Sequence, residues 1–576
     1  MRIISTNRFS GVDESANFDG GLGKASNILN FRIDGNGNLV KRQGVRAILT
    51  APNDIEGIWC GKINGVKSVV YSANGNLYSI KYEDAKSGEK NLEFKFLGSP
   101  GRGKCNMFEF GGILYIKSTT FYCKYNGSTL SMVSGYVPTI AIGCSPDGDG
   151  TVWEQINLLT NKRRQLFSGD ASKLVYRLAE KEISGVISVK FDGVDCTIDY
   201  SVDKAKGELS FRSAPPAGLN NVEIIYTKDS GNEDKKRIIK CTHVMRFGGN
   251  SDGRLFLWGN PEFPNYRFHS DLADGIPSAE YFPVNAFTII GNNSINCIVQ
   301  QYDRQLIFTE TDAYYSYYEI RRDELGKDFA SFPVFNLNGN KGCLFSTDGC
   351  IIDNNPITLC FDGLNKWEST SIQNEKNAIC FSSPIRKTLN RLMQGDISNA
   401  YIFDYQNYHE LFFVCGDTAC VFDYENDNWY FYDGFSGSNF VCYGDSIFFS
   451  RGSILYIFGN EIPQELNREC RWESPFINGE SRYGRLDITR VEADLLTFSG
   501  NEPRFEFRCD RANSISRALK FKNEALENKR ISLRPNLKRA MPFSICFIEN
   551  GKGDCELHNL TLKIRDKERS SRNGVC

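Results

Sequence analysis

Histidine, methionine and long apolar runs are what this sequence has least of. Its 576 residues hold 4 histidines and 6 methionines. The histidines, His243, His269, His409 and His558, stand far apart, and none sits in a metal-ligand spacing. Each reads first as a surface or satisfied core residue, so no metal or other cofactor is expected. No stretch approaches the roughly 18 uninterrupted apolar residues that a membrane-spanning helix needs. Met1 to Asn30 is polar and lacks an apolar run of signal-peptide length. The expectation is a protein made and assembled in a cytoplasm. Charge of one sign is lacking as well. The 68 Lys and Arg against 70 Asp and Glu leave a net −2, so no global field draws the chain to nucleic acid or anionic lipid.

What is present points to sheets. Hydrophobic residues make up 41% and aromatics 13%, enough for large packed interiors and against disorder. The length suggests three or four domains. With 52 glycines and 26 tyrosines, tight turns between strands are favoured over long helices. Nineteen cysteines would suit a secreted, oxidised protein. Yet Cys60, Cys105, Cys123, Cys297, Cys360, Cys415, Cys420 and Cys442 are scattered singly through apolar, strand-like runs. There a reduced thiol packs as a small hydrophobe.

Period-2 alternation bounded by Gly, Asn and Asp recurs almost from end to end. Val66 to Tyr71, the turn Ala73-Asn74-Gly75-Asn76 and Leu77 to Tyr82 read as a hairpin with an Asn-Gly signal. The same grammar returns at Phe108 to Lys117, Thr120 to Tyr125, Gln305 to Thr309, Ala313 to Tyr318, Leu411 to Cys415, Cys420 to Tyr424, Trp429 to Tyr432, Ser446 to Ser450 and Ile454 to Phe458. Short strands in groups of about 40–60 residues are what propeller blades look like in sequence. Ser514 to Asn528 is the one ambiguous helical candidate.

Two segments break this rhythm. Val186 to Tyr226 carries an Asp192-Gly193 turn, a Gly207 turn and the bend Ala214-Pro215-Pro216-Ala217-Gly218, and reads as a small inserted sandwich. Lys228 to Lys240 reads as an exposed linker. From Arg490 to Arg565 the strands lengthen, which suggests a terminal sandwich or jelly roll. The expected fold is therefore all-β: a β-propeller with an inserted small β-sandwich domain and a C-terminal β-sandwich or jelly-roll-like domain. Its expected parts are an N-terminal arm and first strand (1–50), propeller (51–150), inserted domain (151–228), propeller (229–474) and C-terminal β-domain (475–576).

Chemistry is hard to find. Asp147-Gly148-Asp149-Gly150 resembles the start of a calcium loop but lacks the other ligands and the distal Glu. Gly20-Gly21-Leu22-Gly23-Lys24 has no preceding strand, and Ala25 stands where a phosphate loop needs Ser or Thr. It reads as a flexible arm. Nothing picks out a carboxylate pair of the kind propeller glycosidases use, and no catalytic residue or enzymatic activity is expected. One stretch has electrostatic shape. Arg517 to Arg539 is rich in Lys and Arg, and Lys529, Arg530, Arg534, Lys538 and Arg539 are its candidate contacts with DNA or an acidic neighbouring subunit. A solvated face is the plainer reading of such a run.

Three stretches carry a family resemblance. Ala25 to Ile48, with its Asn-rich arm and Lys41-Arg42-Gln43-Gly44 corner, is similar to the opening of phage neck and tail proteins. Val189 to Lys228, with its Ala-Pro-Pro-x-Gly bend, is similar to a small β-domain of phage structural proteins. Met245 to Gly291, with Gly-Asn-Pro, an aromatic-His-Ser element and Tyr-Phe-Pro, resembles the propeller of the same proteins and continues to Tyr302 to Tyr315. In its order of parts the chain resembles the tail nozzle, or packaged-DNA stabilisation, proteins of short-tailed phages. That resemblance implies a virion protein forming a homo-oligomeric ring, commonly of six copies, below the portal and adaptor. The ring would retain packaged double-stranded DNA and conduct it on ejection. The alternative is a tail-tip propeller that recognises host-surface carbohydrate, with Tyr314, Tyr315, Tyr317 and Tyr318 stacking on sugar rings.

Overall fold

A computed structural model describes the chain except residues 16–20, 89–91, 230–232, 323–325, 327, 370–376, 460–461, 463–467, 479–484, 499–500, 510–511, 519–526, 536, 541 and 568–576. Strands dominate, and the described helices are short: Tyr82–Ser87, Glu233–Ile239 and Arg386–Met393. No helix among the described residues is long and apolar enough to cross a membrane. The chain forms two compact units: 1–73 with 79–95 and 349–576, and 74–78 with 96–348.

In the first unit, antiparallel sheets of blade type follow one another. Cys350–Ile352, Asn355–Cys360, Gly363–Trp367 and Ala378–Cys380 make one, and Tyr401–Tyr405, Glu410–Cys415, Thr418–Asp423 and Asn428–Tyr432 the next. The third takes Ser438–Tyr443, Ser446–Arg451 and Ile454–Gly459, and its fourth strand comes from far upstream. Gly44–Thr50 pairs antiparallel with Ile454–Gly459, from Gly44↔Gly459 to Thr50↔Ile454. A blade completed by an N-terminal strand is how propellers hide their open edge. First strands of successive blades are stitched together by Asn439. Its side chain donates to the Ile55 carbonyl at 3.0 Å, and its backbone N–H donates to the Tyr401 hydroxyl at 3.2 Å.

The C-terminal domain of this unit is a sandwich. Arg485–Thr497 and Cys555–Lys567 pair along nearly their whole length, flanked by Glu527–Leu533, Leu537–Ala540, Arg2–Thr6, Phe31–Ile33 and Leu39–Lys41. The facing layer of Cys470–Glu473, Phe543–Glu549, Arg504–Cys509 and Ala512–Ala518 joins the blade of 401–432 through the short strand Asn27–Leu29. Alternation along Arg485–Thr497 buries Val491, Ala493 and Leu495, and Phe505, Phe507 and Phe547 of the facing layer are buried as well. The segment read as an ambiguous helix is a strand over Ala512–Ala518.

In the second unit, Cys105–Phe110 to Leu130–Met132, His243–Gly248 to Phe287–Ile289, and Cys297–Gln301 to Val334–Asn338 are again four-stranded antiparallel sheets. The first two pack through Phe110, Tyr115 and Tyr122 against Leu255, Leu257 and Phe268. Residues 139–227 form a separate two-layer domain, with its own core around Phe167, Tyr176, Phe211 and Tyr226. Turn chemistry follows the sequence. Asn74 and Gly75 take φ of 53° and 74°, and Asp192 and Gly193 take 48° and 81°, the paired positive values of a type I′ hairpin. Lys228 to Lys240 differs from the expected exposed linker. Within it, Glu233–Ile239 is a helix that buries Ile238 and lays the Arg237 guanidinium 5.4 to 5.6 Å from the rings of Phe263, Phe268 and Phe287.

Eighteen cysteines are free thiols, most of them buried, and Cys576 lies outside the described residues. The chain is an all-β protein of the propeller class, with an inserted β-sandwich and a C-terminal β-sandwich.

Candidate functional site

The inserted domain of the second unit carries exposed apolar side chains at a tied end. Its tip is rigid. Asn221, 5% exposed, accepts from Gly169 N–H at 2.9 Å, donates to the Pro216 carbonyl at 2.8 Å, and its own carbonyl accepts from Asp192 N–H at 2.8 Å. Asn220 Oδ1 accepts from Gly143 N–H at 2.6 Å. These bonds lock three loops, among them the Pro-Pro bend and the Asp192-Gly193 turn, at one end of the sheet. From that end Leu219 and Val194 project at 82% and 71% exposure. Val152, Trp153, Ile187 and Leu174 are exposed on the same domain. Exposed aliphatics on a well-tied tip mark a contact surface more than a packing error.

Its base is equally well tied. Asn157, buried between the domain and the blade of 243–289, donates from Nδ2 to the carbonyls of Tyr136 and Glu280 at 2.8 Å each. Its Oδ1 accepts from Leu159 N–H at 3.1 Å and Phe282 N–H at 3.0 Å. Tyr281 adds a hydroxyl bond to the Gln155 carbonyl at 2.9 Å. The Tyr-Phe-Pro motif is thus the blade's half of this joint. Beside it, the hydroxyl of Tyr136 reaches both oxygens of Glu154 and one oxygen of Asp274. Sequence reasoning missed Tyr136, Glu154, Asn157 and Asp274. They are separated by up to 138 residues, and no spacing rule joins them.

A second structured centre lies at the Lys41-Arg42 corner of the first unit. Lys41 forms a buried ion pair with Glu549 and donates to the carbonyls of Gly551 and Gly553 at 2.8 and 2.7 Å. Arg42 points the other way, donating to Asn30 Oδ1 at 2.8 Å and to the carbonyls of Gln43 and Asp433 at 3.0 and 3.2 Å. Its guanidinium sits 5.4 to 5.7 Å from the rings of Tyr432, Phe435 and Phe458. Burial, with Arg468 nearby, lowers it to about 10. The corner clamps the C-terminal sandwich and two blades together.

The basic candidates lie at the edge of the C-terminal sandwich. Lys529 and Arg530 are on the strand Glu527–Leu533, and Arg530, on its exposed face, is held by Asp494 at 2.9 Å. Arg534 and Lys538 are exposed, and the side chain of Arg539 lies outside the described residues. Arg530 is therefore neutralised within its own sheet, and the run does not form one continuous field of free cations.

The histidines remain apart. His243 bonds Asp348 and Ser346 at 2.7 Å each, His409 meets Glu425 and His558 meets Glu556. His269 is half-buried, and desolvation lowers it to about 4. No metal-type cluster of His, Cys, Asp and Glu occurs among the described residues. In the calcium-like loop, Asp149 accepts from Ser145 N–H at 2.9 Å and closes its own turn. Gly20 lies outside the described residues, Gly21 takes φ of 65°, and Lys24 pairs with Asp13 at 2.9 Å. Of the tyrosine run, Tyr314 packs against the blade interior and Tyr318 donates to Asp252 at 3.1 Å. Tyr315 and Tyr317 flank Phe335, with ring centroids 5.2 and 5.8 Å apart.

No protein-family model matches the chain, and no curated protein matches it. Solved structures do. PorZ, a surface component of the type-IX secretion system of Porphyromonas gingivalis, is 11% identical over 82% of this chain and 46% of its own, with a TM-score of 0.30. This chain spans about half of its length. The Dos1 propeller is 10% identical over 74% of this chain and 96% of its own, with a TM-score of 0.33. An exo-β-1,3-galactanase of Phanerochaete chrysosporium, solved with galactose, is 7% identical over 80% of this chain and 95% of its own, with a TM-score of 0.16. At such identities and TM-scores the likeness says nothing of what this chain does. One expectation is nonetheless not kept. Because a glycoside hydrolase with a propeller fold is among these neighbours, the reading of the chain as non-enzymatic is withdrawn.

Proposed function

We infer that the chain is a structural component of a tailed-phage virion, a nozzle-like subunit of the neck or tail tube. In that role copies of it form a ring, probed first as a hexamer, that holds packaged DNA below the portal and adaptor and passes it on ejection. The supporting observation is where the resembling residues fall. Lys41, Arg42, Tyr281, Phe282 and the Ala-Pro-Pro-x-Gly bend are the ones that lock separate pieces of the fold together. Such cross-ties suit a part that bears load, and the rigid tip with Leu219 and Val194 gives a subunit something to hold. A near-neutral chain also suits a DNA conduit, since each phosphate neutralised adds affinity that ejection must overcome.

Cryo-electron microscopy of the particle tests this reading. Density for the chain as a ring on the tail axis is the expected result. A peripheral position, or absence from the particle, defeats it. The partly exposed group Tyr315, Tyr317 and Phe335 favours a second reading, in which the propeller binds host-surface carbohydrate by ring stacking. Strong glycan-array binding that is lost in Tyr317→Ala would select it.

A further inference from the structure

At the neck of the inserted domain one phenol faces two carboxylates. Tyr136 Oη lies 3.1 Å from both Oε1 and Oε2 of Glu154 and 2.9 Å from Oδ1 of Asp274. A phenol has one hydrogen to donate. With both carboxylates ionised, the phenol can tie only one of them, and the other, Asp274 being exposed, is left to water.

The surrounding groups do not supply the missing donor to Asp274. Thr139 N–H donates to Glu154 Oε2 at 2.6 Å. Arg164 is engaged with Glu223 at 3.6 Å and with Thr139 Oγ1 at 3.5 Å, and acts on Glu154 only through its field. Tyr281, whose ring lies 5.2 Å from that of Tyr136, gives its hydroxyl hydrogen to Gln155. Asp271 adds negative charge beside Tyr281. Burial, reinforced by the charge of Asp274, holds the Glu154 carboxyl above its ordinary range.

We propose that one proton shared among Glu154, Tyr136 and Asp274 clamps the neck of the inserted domain to the adjoining blade, closed in acid and opening as pH rises. The three residues come from three segments. Tyr136 leads into the domain, Glu154 leads back out of it, and Asp274 sits in the turn between Leu272–Ala273 and Ile276–Pro277. The sign follows from the count of protons. Below the raised carboxyl pKa the group holds its proton and both acid–phenol contacts are hydrogen bonds. Above it two negative charges bear on a single hydroxyl. The Asn157 joint has no titratable atom and stays closed throughout, so opening is confined to the neck and the hairpin turn.

Hydrogen exchange of the full chain between about pH 5 and pH 9, corrected for the intrinsic pH dependence of exchange, tests the clamp. Amides of 136–141 and 272–277 should exchange several-fold faster at the higher pH, relative to the core strand Gly218–Thr227. Asp274→Asn should flatten that ratio, because an amide donates where a carboxylate cannot, and Asn accepts the φ of 48° found there. Glu154→Gln should flatten it independently. A ratio that does not change with pH in the unaltered chain overturns the proposal. So does an undiminished change in both variants. Faster exchange that includes Gly218–Thr227 equally reports general loosening and overturns it too.

Discussion

Single residues carry the clearest energetic signatures. Glu410 is buried in the blade of 401–432, and its Oε2 has no hydrogen-bond partner among the described residues. Burial pushes its carboxyl up to about 8, against the pull of Arg32. An acid raised in the folded state holds its proton there while the unfolded chain has already released it. Its stabilising contribution is therefore complete below the ordinary value of 4.5 and drains away as pH rises toward 8. Unfolding free energies from urea titrations at pH 5 and pH 9 should differ by on the order of a few kcal/mol in the unaltered chain and by clearly less in Glu410→Gln. Equal losses in both would refute the assignment. Arg42 makes the opposite case, a buried cation held by neutral acceptors and three rings. Arg42→Ala leaves Asn30 Oδ1 and the Asp433 carbonyl without that donor and opens a cavity, for a cost of about 3–5 kcal/mol by urea unfolding. The Lys-Arg corner was visible in sequence as a motif. Its work was not, because Asp433, Phe435 and Glu549 lie some 390 to 510 residues away and no local pattern names them.

Among elements, those governed by local physics were readable. The Asn74-Gly75 and Asp192-Gly193 turns announce themselves because only a few residue types tolerate two successive positive φ angles. The strand runs that flank them follow from alternation. Lys228 to Lys240 misled because its charge looks solvent-facing, whereas Arg237 lays its guanidinium over three phenylalanines and Ile238 is buried. Within the basic run 529–538, Arg530 meets Asp494, a partner that is adjacent only through sheet register and that no local pattern names. For the inserted domain the expected outcome is specific. Leu219→Asp and Val194→Asp should leave the melting temperature within about 2 °C, because neither side chain is packed. Under the proposed ring-forming role, both should lower self-association in sedimentation and incorporation into particles. Unchanged assembly would remove the tip as a contact.

Across the whole molecule, the all-β class was legible from rhythm and strand length, but the way the N-terminal segment is divided was not. Its strands Arg2–Thr6, Phe31–Ile33 and Leu39–Lys41 belong to the C-terminal sandwich, while Gly44–Thr50 finishes a blade. Such partition depends on pairings between distant strands, to which single-sequence alternation is blind. Val45 is buried opposite Phe458. Val45→Asp should therefore split thermal unfolding of the chain into two transitions, the lower one assigned by loss of protection in 438–459. A single unshifted transition would show that closure of this blade contributes little. The same pairing constrains biosynthesis. Thr50 meets Ile454, and at roughly 5–20 residues per second a ribosome needs on the order of 20–80 s to deliver the second after the first. Throughout that interval the segment Gly44–Thr50 waits with its hydrogen-bonding edge open. Closure of this blade therefore comes late in synthesis, after Ile454–Gly459 has been made.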